Sequence, residues 1–229
     1  MVLPPPGLWV EEWLSQARFD RYLSECAGDP RLALRTYEWN AELGQAVMRD
    51  AGHFEVALRN AFDRAVSERW HGSTHWLMDT QSPVRKPLWR VVRGRSQDIN
   101  VPNRSSLAEA AKRSGARAAS SDQLVASLTL GFWQHMCDTA HEQAVWIPYV
   151  YHAWPRGTSR SHVYGAIDLI RVARNEAAHN EPLFTLTGRR GVPNVYATIV
   201  SLLRMLNPTV ATLVQQTSRV QALLARRPR

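Results

Sequence analysis

A chain of 229 residues, 45% hydrophobic and 21% charged, has room for a substantial core in one large domain or two small ones. Its formal net charge of +8 favours an anionic partner without separating RNA from DNA, lipid headgroups or plain solubility. Cys26 and Cys137 are too few and too far apart for a disulfide framework, no CxxC pair suggests zinc or redox work, and no apolar run reaches the roughly 20 residues that cross a bilayer.

Both cysteines read as reduced core residues of a cytoplasmic protein, and the start, Met1 to Gly7, lacks the basic-then-apolar order of an export signal. Pro4-Pro5-Pro6-Gly7 is an irregular lead-in, set at about residues 1–8. Leu8, Trp9, Trp13, Leu14, Phe19, Tyr22 and Leu23 then recur at helical intervals, and Gly28-Asp29-Pro30 predicts a stop and restart. A second helix carries Leu34, Tyr37, Leu43, Val47 and Met48, with Trp39-Asn40 as a packing aromatic beside a surface amide. A third face contains Phe54, Leu58, Ala61, Phe62, Ala65 and Val66. Alongside it lie Glu55, Arg59 and Asn60; the first two are four residues apart, the spacing of a modest surface ion pair.

Gly72, Ser82, Pro83, Pro87 and Gly94 punctuate the next region. From Arg85 to Arg117, nine basic residues against Asp98 and Glu109 leave a local charge of +7, which fits either phosphate contacts or a solvated basic face. A short helix is expected over 107–119. Leu124, Leu128, Phe132, Trp133 and Met136 continue the apolar pattern, interrupted by Gly131. Trp146, Ile147, Tyr149, Val150, Tyr151 and Trp154 offer a base-stacking surface or, more simply, core filling, and Pro148 and Pro155 oppose one continuous helix there.

A late helix starts near Ser159 or Ser161, with Val163, Ala166, Ile167, Ile170, Ala173 and Ala177 as its inward stripe and Asp168 and Arg171 spaced to pair. Pro182 forces a boundary, so His179 falls in or just past the final turn. A last helix over 195–213 is threatened by Pro208. Arg219, Arg226, Arg227 and Arg229 give a basic, frayed tail over about 217–229. No repeat or long linker divides the chain, so 1–229 reads as a single domain.

The late helix carries the chemistry. Arginine grips phosphate through a rigid fork, and histidine exchanges protons near neutral pH. Arg174 and His179 stand about 140° apart on a regular helix, so fraying at the end is one way to turn the imidazole toward the guanidinium. In RNA cleavage, His179 would move a proton at the 2′-hydroxyl or the leaving oxygen. Arg174, with Arg171, would stabilise the phosphate charge, and Asn175 would orient the phosphate or the imidazole. The products would be a cyclic phosphate and a 5′-hydroxyl, with no metal required. Spacing alone favours plainer roles, with His179 capping the helix end and Arg174 pairing with Glu181.

The segments Tyr37-Glu38-Trp39-Asn40, Phe54 through Ala61, Leu130-Gly131-Phe132-Trp133 and Arg171 through Phe184 together resemble the Abi-like (abortive-infection) branch of the HEPN superfamily. The likeness runs from about Tyr37 to Phe184, and its most specific part is the last segment. It implies an all-α helical bundle with additional peripheral helices, often dimeric, and a metal-independent endoribonuclease without cofactor. In that resemblance Arg174 and His179 take the phosphate-contacting and acid/base positions and Asn175 the adjacent polar one. Arg171, Glu55, Arg59 and Asn60 become supporting residues. RNA, a second copy of the chain and an antitoxin or regulatory protein are the implied partners, phage defence the implied setting, and no membrane is involved. A non-catalytic RNA-binding regulator and a helical assembly protein are the alternatives.

Overall fold

Two short helices open the described chain, α1 (Leu8–Leu14) and α2 (Gln16–Glu25), where the sequence pattern suggests one. Ser15 separates them at φ 64°, and Ala27, Arg93 and Asn180 are the other non-glycine residues on that side of the map among the described residues. Val10, Leu14, Phe19 and Tyr22 turn inward, whereas Leu8 and Trp13 remain 77% and 54% exposed. The structure, a computed structural model, describes residues 6–113 and 120–229. Most of the lead-in and Arg117 therefore lie outside the described residues.

Asp29 starts α3 (Pro30–Ser67) by accepting hydrogen bonds from the Arg31 and Leu32 backbone N–H groups, with Pro30 at the first helical position. At 38 residues it runs roughly 57 Å and merges the two helices expected over this region. No proline interrupts it, and a buried apolar stripe from Leu34 to Val66 outweighs the weak helix propensity of Gly44 and Gly52. Gly44 lies against Ala177, where a Cβ would meet the carbonyl oxygen at 3.6 Å, an ordinary van der Waals distance. Asn40 corrects the surface-amide expectation. It is buried, donating to the Glu181 carbonyl (3.0 Å) and accepting from the Leu183 backbone N–H (2.7 Å). Its neighbour Trp39 is also buried and donates through Nε1 to the Leu223 carbonyl at 2.8 Å.

The region after α3 packs Trp76, Leu77 and Val84 into the main core and then forms an antiparallel hairpin, β1 (Trp89–Val92) and β2 (Arg95–Asp98). Arg93 and Gly94, at φ 51° and 76°, make its two-residue turn. The fold is thus mostly helical rather than purely so. Helix α4 (Val101–Arg113) begins six residues before the expected Leu107; the expected end at Ala119 falls outside the described residues. Ser120 and Gln123 form a reciprocal cap on α5 (Ser121–Ser127), and α6 (Leu130–His135) follows. The break comes at Leu128 and Thr129, one turn before Gly131. The basic concentration is divided. Arg85 donates through Nε to the Leu77 carbonyl and Arg104 pairs with Asp98 at 2.6 Å, so both stitch loops, whereas Arg93 and Arg95 project from the hairpin.

Trp146, Val150 and Trp154 enter the core, so the aromatic run fills space as its simpler reading has it; Ile147 alone is largely exposed. Ser159 caps α7 (Arg160–Ala178), whose six predicted inward residues are all buried. Asn207 then separates α8 (Val192–Leu206) from α9 (Pro208–Thr217), accepting from the Val210 N–H, and Pro208 takes the first position of the new helix. The expected frayed tail is instead a docked helix, α10 (Val220–Ala225). Val220 and Leu223 are buried against Trp39, and Arg227 pairs with Glu25 while lying over the Trp39 and Phe184 rings. Among the described residues no helix is long and apolar enough to cross a membrane. Both cysteines are buried free thiols.

Asn40→Ala would strand the Glu181 carbonyl and the Leu183 N–H in a buried seam, and each unmade bond there costs about 1–3 kcal/mol. Denaturant unfolding should show a loss in that range. A loss below about 0.5 kcal/mol, ordinary for a surface site, would contradict this role.

Candidate functional site

The C-terminal end of α7 is closed on itself. The Glu181 N–H donates to the Glu176 carbonyl (2.9 Å) and the Asn180 N–H to the Ala177 carbonyl (3.1 Å), with Asn180 in the left-handed region at φ 52°. Arg18 on α2 donates to the His179 carbonyl at 3.3 Å and pairs with Glu181, which Arg21 also binds. Cations thus meet the negative end of the helix dipole. Both plain roles foreseen for the motif are taken by others. Arg18 and the Asn180 and Glu181 amides satisfy the helix end, and Glu181 pairs with Arg18 and Arg21 rather than with Arg174. Nor is the end frayed. His179 is left as the final half-helical residue, its side chain exposed and without a hydrogen-bond partner among the described residues.

Arg174 turns elsewhere. It donates to the Asn175 side-chain oxygen at 3.3 Å and stands close enough to Glu55 on α3 to act on its carboxyl. Burial pushes the Glu55 carboxyl up, against the opposing pull of Arg174, Arg59 and the Leu130 backbone N–H. Glu55 and Arg59 share this environment without a direct ion pair among the described residues, so the expected surface bridge is absent. Arg59 is half-buried and donates to the Ala126 carbonyl at 2.9 Å, while its buried Nε has no partner among the described residues. Asn60 does not join them; it lines a separate crevice with His53, Arg64 and Asn207. Arg174, Asn175, Glu55 and Arg59 are therefore brought together, and no contact links Arg174 to His179 within one chain.

Arg171 belongs to a neighbouring polar knot. Its Nε donates to Gln134 of α6 at 2.7 Å, and Nη2 donates to Asp168 at 2.8 Å, which also accepts from Gln134. Burial raises the Asp168 carboxyl, but hydrogen bonds from Arg171 and Gln134 and the nearby Arg190 charge outweigh it and hold the pKa below the ordinary value. The Asp168–Arg171 pair foreseen from spacing is thus present. Asp168 also edges a groove of about 730 Å³ between α7 and α8, walled in part by His162, Arg189, Arg190 and Asn194. Arg189 and Arg190 sit on the loop before α8 with no helical spacing to α7, which is why sequence periodicity does not tie them to the site.

A second cluster also escapes the sequence pattern. His135 ends α6, and His141 follows within six residues, with Asp138 between them. His141 Nδ1 lies 2.7 Å from Asp138 Oδ1, and His135 Nε2 lies 3.2 Å from Asp138 Oδ2. The H-x2-D-x2-H spacing is the only linear sign of it. No protein-family model matches the chain, and neither a curated protein nor a solved structure matches it.

The Glu55 environment yields a pH-dependent expectation. Because the folded carboxyl is raised above its ordinary value of 4.5, the native protein holds this proton more tightly than the unfolded chain. That stabilising contribution is complete below the ordinary value and is lost as pH rises through the folded one. Glu55→Gln, which copies the neutral acid, should therefore melt above the wild type at pH 7, with the gap closing below about pH 4. Thermal unfolding at the two pH values checks this; a variant less stable at pH 7 would show that the carboxylate is needed in its charged form.

Proposed function

We propose that the protein is a metal-independent endoribonuclease in which the end of α7 presents the reactive groups to an RNA backbone. The observation that carries this reading is His179: its imidazole is exposed and has no partner among the described residues, at a helix end whose capping is done by other groups. An exposed imidazole so placed can reach the substrate as a general acid or base. Arg174, steadied by Asn175 and Glu55, and Arg171, steadied by Asp168 and Gln134, supply guanidinium charge along the same helix. The groove walled by Arg189 and Arg190 offers a path for the rest of the strand.

In this reading His179 accepts the 2′-hydroxyl proton or protonates the leaving 5′-oxygen, while an arginine meets the charge that grows on the phosphate. The 2′-oxygen forms its bond to phosphorus as the bond to the 5′-oxygen breaks. The likeness to Abi-like HEPN proteins supports two copies closing one cleft, so that His179 of one chain works beside Arg174 of the other. Growth arrest in defence against phage is the corresponding biological proposal.

A second reading, RNA binding without cleavage, is favoured by the hairpin. Its Trp89 is 61% exposed and its Arg93 and Arg95 point outward, pairing an aromatic face with basic charge.

Purified wild type should cleave RNA in the presence of chelator, and His179→Ala should lose at least 100-fold in rate while keeping its native mass and helical content. Arg174→Ala should weaken both binding and turnover. Equal cleavage by wild type and folded His179→Ala overturns the assignment. Salt-sensitive binding with intact RNA selects the second reading.

A further inference from the structure

His135, Asp138 and His141 form a cluster whose hydrogen bonds fix the direction of every lone pair in it. Asn100 is the key. Its side-chain nitrogen donates to two backbone carbonyls, Pro83 at 2.6 Å and Lys86 at 2.7 Å, so its oxygen has to face the other way. That oxygen accepts from Asn103 Nδ2 at 2.8 Å, which in turn directs the Asn103 oxygen outward. The two oriented amide oxygens then meet the two imidazoles. Asn100 Oδ1 lies 2.8 Å from His141 Nε2, and Asn103 Oδ1 lies 2.8 Å from His135 Nδ1. An amide oxygen only accepts, so each of these ring nitrogens carries its proton. Asn103 Nδ2 also lies 3.3 Å from His141 Nε2, but the closer oxygen decides the tautomer.

The remaining nitrogens, His141 Nδ1 and His135 Nε2, both face the Asp138 carboxylate. A neutral ring with its far nitrogen protonated presents a lone pair at the near one. Two lone pairs and a carboxylate then converge, and either a proton on a ring or a metal ion has to lie among them. Imidazole nitrogens held by acceptors on their far side and aimed inward with a carboxylate are the arrangement of a metal site with its supporting shell in place.

We infer that His135 Nε2, Asp138 and His141 Nδ1 bind a zinc ion, with solvent completing the coordination. Ligand distances of about 2.0–2.1 Å around tetrahedral zinc place neighbouring donor atoms about 3.3 Å apart. His135 Nε2 lies 3.2 Å from one Asp138 oxygen and His141 Nδ1 2.7 Å from the other, and one ligand atom from each of the three residues lies within 4.8 Å of the rest, so a small opening of the cluster admits the ion. Two imidazoles and one carboxylate match the preference of zinc over the all-oxygen shells of magnesium and calcium. The His141 side chain is fully buried, whereas those of His135 and Asp138 are 29% and 21% exposed. Ion entry and a water ligand therefore belong to the His135 edge.

The site has a structural consequence. It joins the end of α6 to Asn100 and Asn103 at the start of α4, and through Asn100 to the loop at Pro83 and Lys86 that leads into the hairpin. Within α6, Gln134 turns to α7 and the arginines while His135 turns to α4. Zinc would therefore clasp the hairpin and α4 to the bundle without entering the proposed RNA chemistry, and cleavage in chelator and zinc binding are independent outcomes.

The test uses full-length protein stripped of metal, titrated with zinc by calorimetry and with cobalt(II) by visible absorption. Wild type should take up one equivalent of zinc and melt at higher temperature with it, and the cobalt form should show tetrahedral d–d bands. His135→Ala and Asp138→Asn both change groups at the accessible edge and should weaken zinc at least tenfold while retaining their helical circular dichroism. If either variant unfolds, His135→Gln serves in its place. Wild type that binds zinc no better than folded variants, or gains no thermal stability from it, overturns the site.

Discussion

The arrangement of the whole candidate site depends on how α7 is held against α3 and α2. Gly44 of α3 lies against Ala177 of α7, Asn40 pins the segment that follows the helix, and Arg18 and Arg21 grip the turn at Glu181. These contacts supply donors to the carbonyls that an unfinished helix C-terminus would leave free. Their effect is to fix the direction in which α7 offers Arg171 and Arg174, and to leave the His179 imidazole without a partner among the described residues.

The short α6 organises the other half. Its Leu130 N–H reaches Glu55, Gln134 bridges Asp168 and Arg171, and the next residue, His135, enters a separate network with α4. Six residues thus connect the arginine side of the bundle to the hairpin side. Glu55 and Asp168 show how environment divides two carboxyls. Burial dominates at Glu55, while direct bonds from Arg171 and Gln134 dominate at Asp168.

Much of the helical framework was legible in the chain. The inward stripe of α7, its start at Ser159 and its stop before Pro182 follow from period, cap and proline, all local properties. Misread features depended on partners distant in sequence. Asn40 reads as a surface amide until Glu181 and Leu183 fold over it; the basic tail reads as frayed until Trp39 receives Leu223. The Arg93-Gly94 turn lacks the Asn-Gly signal of a tight hairpin, so β1 and β2 were hidden. Within the site, the proximity of Glu55 to Arg174 was implied only by family likeness, and the Arg189–Arg190 wall and the paired histidines had no periodic signature. Spacing did foresee that Arg174 and His179 do not share one stripe of the helix; Arg174 turns to Asn175 while His179 stays exposed.

In the proposed reaction the arginines of α7, the exposed His179 imidazole and the groove beside Arg189 and Arg190 act on one RNA backbone, with a second copy of the chain as the means of bringing Arg174 and His179 together. Its chemistry leaves a mark that binding alone does not. The most direct measurement is the identity of the RNA ends after incubation with the protein in chelator. Attack by the 2′-oxygen requires a 2′,3′-cyclic phosphate on one fragment and a 5′-hydroxyl on the other. Fragments bearing 5′-phosphate and 3′-hydroxyl, or RNA that remains whole, would contradict it.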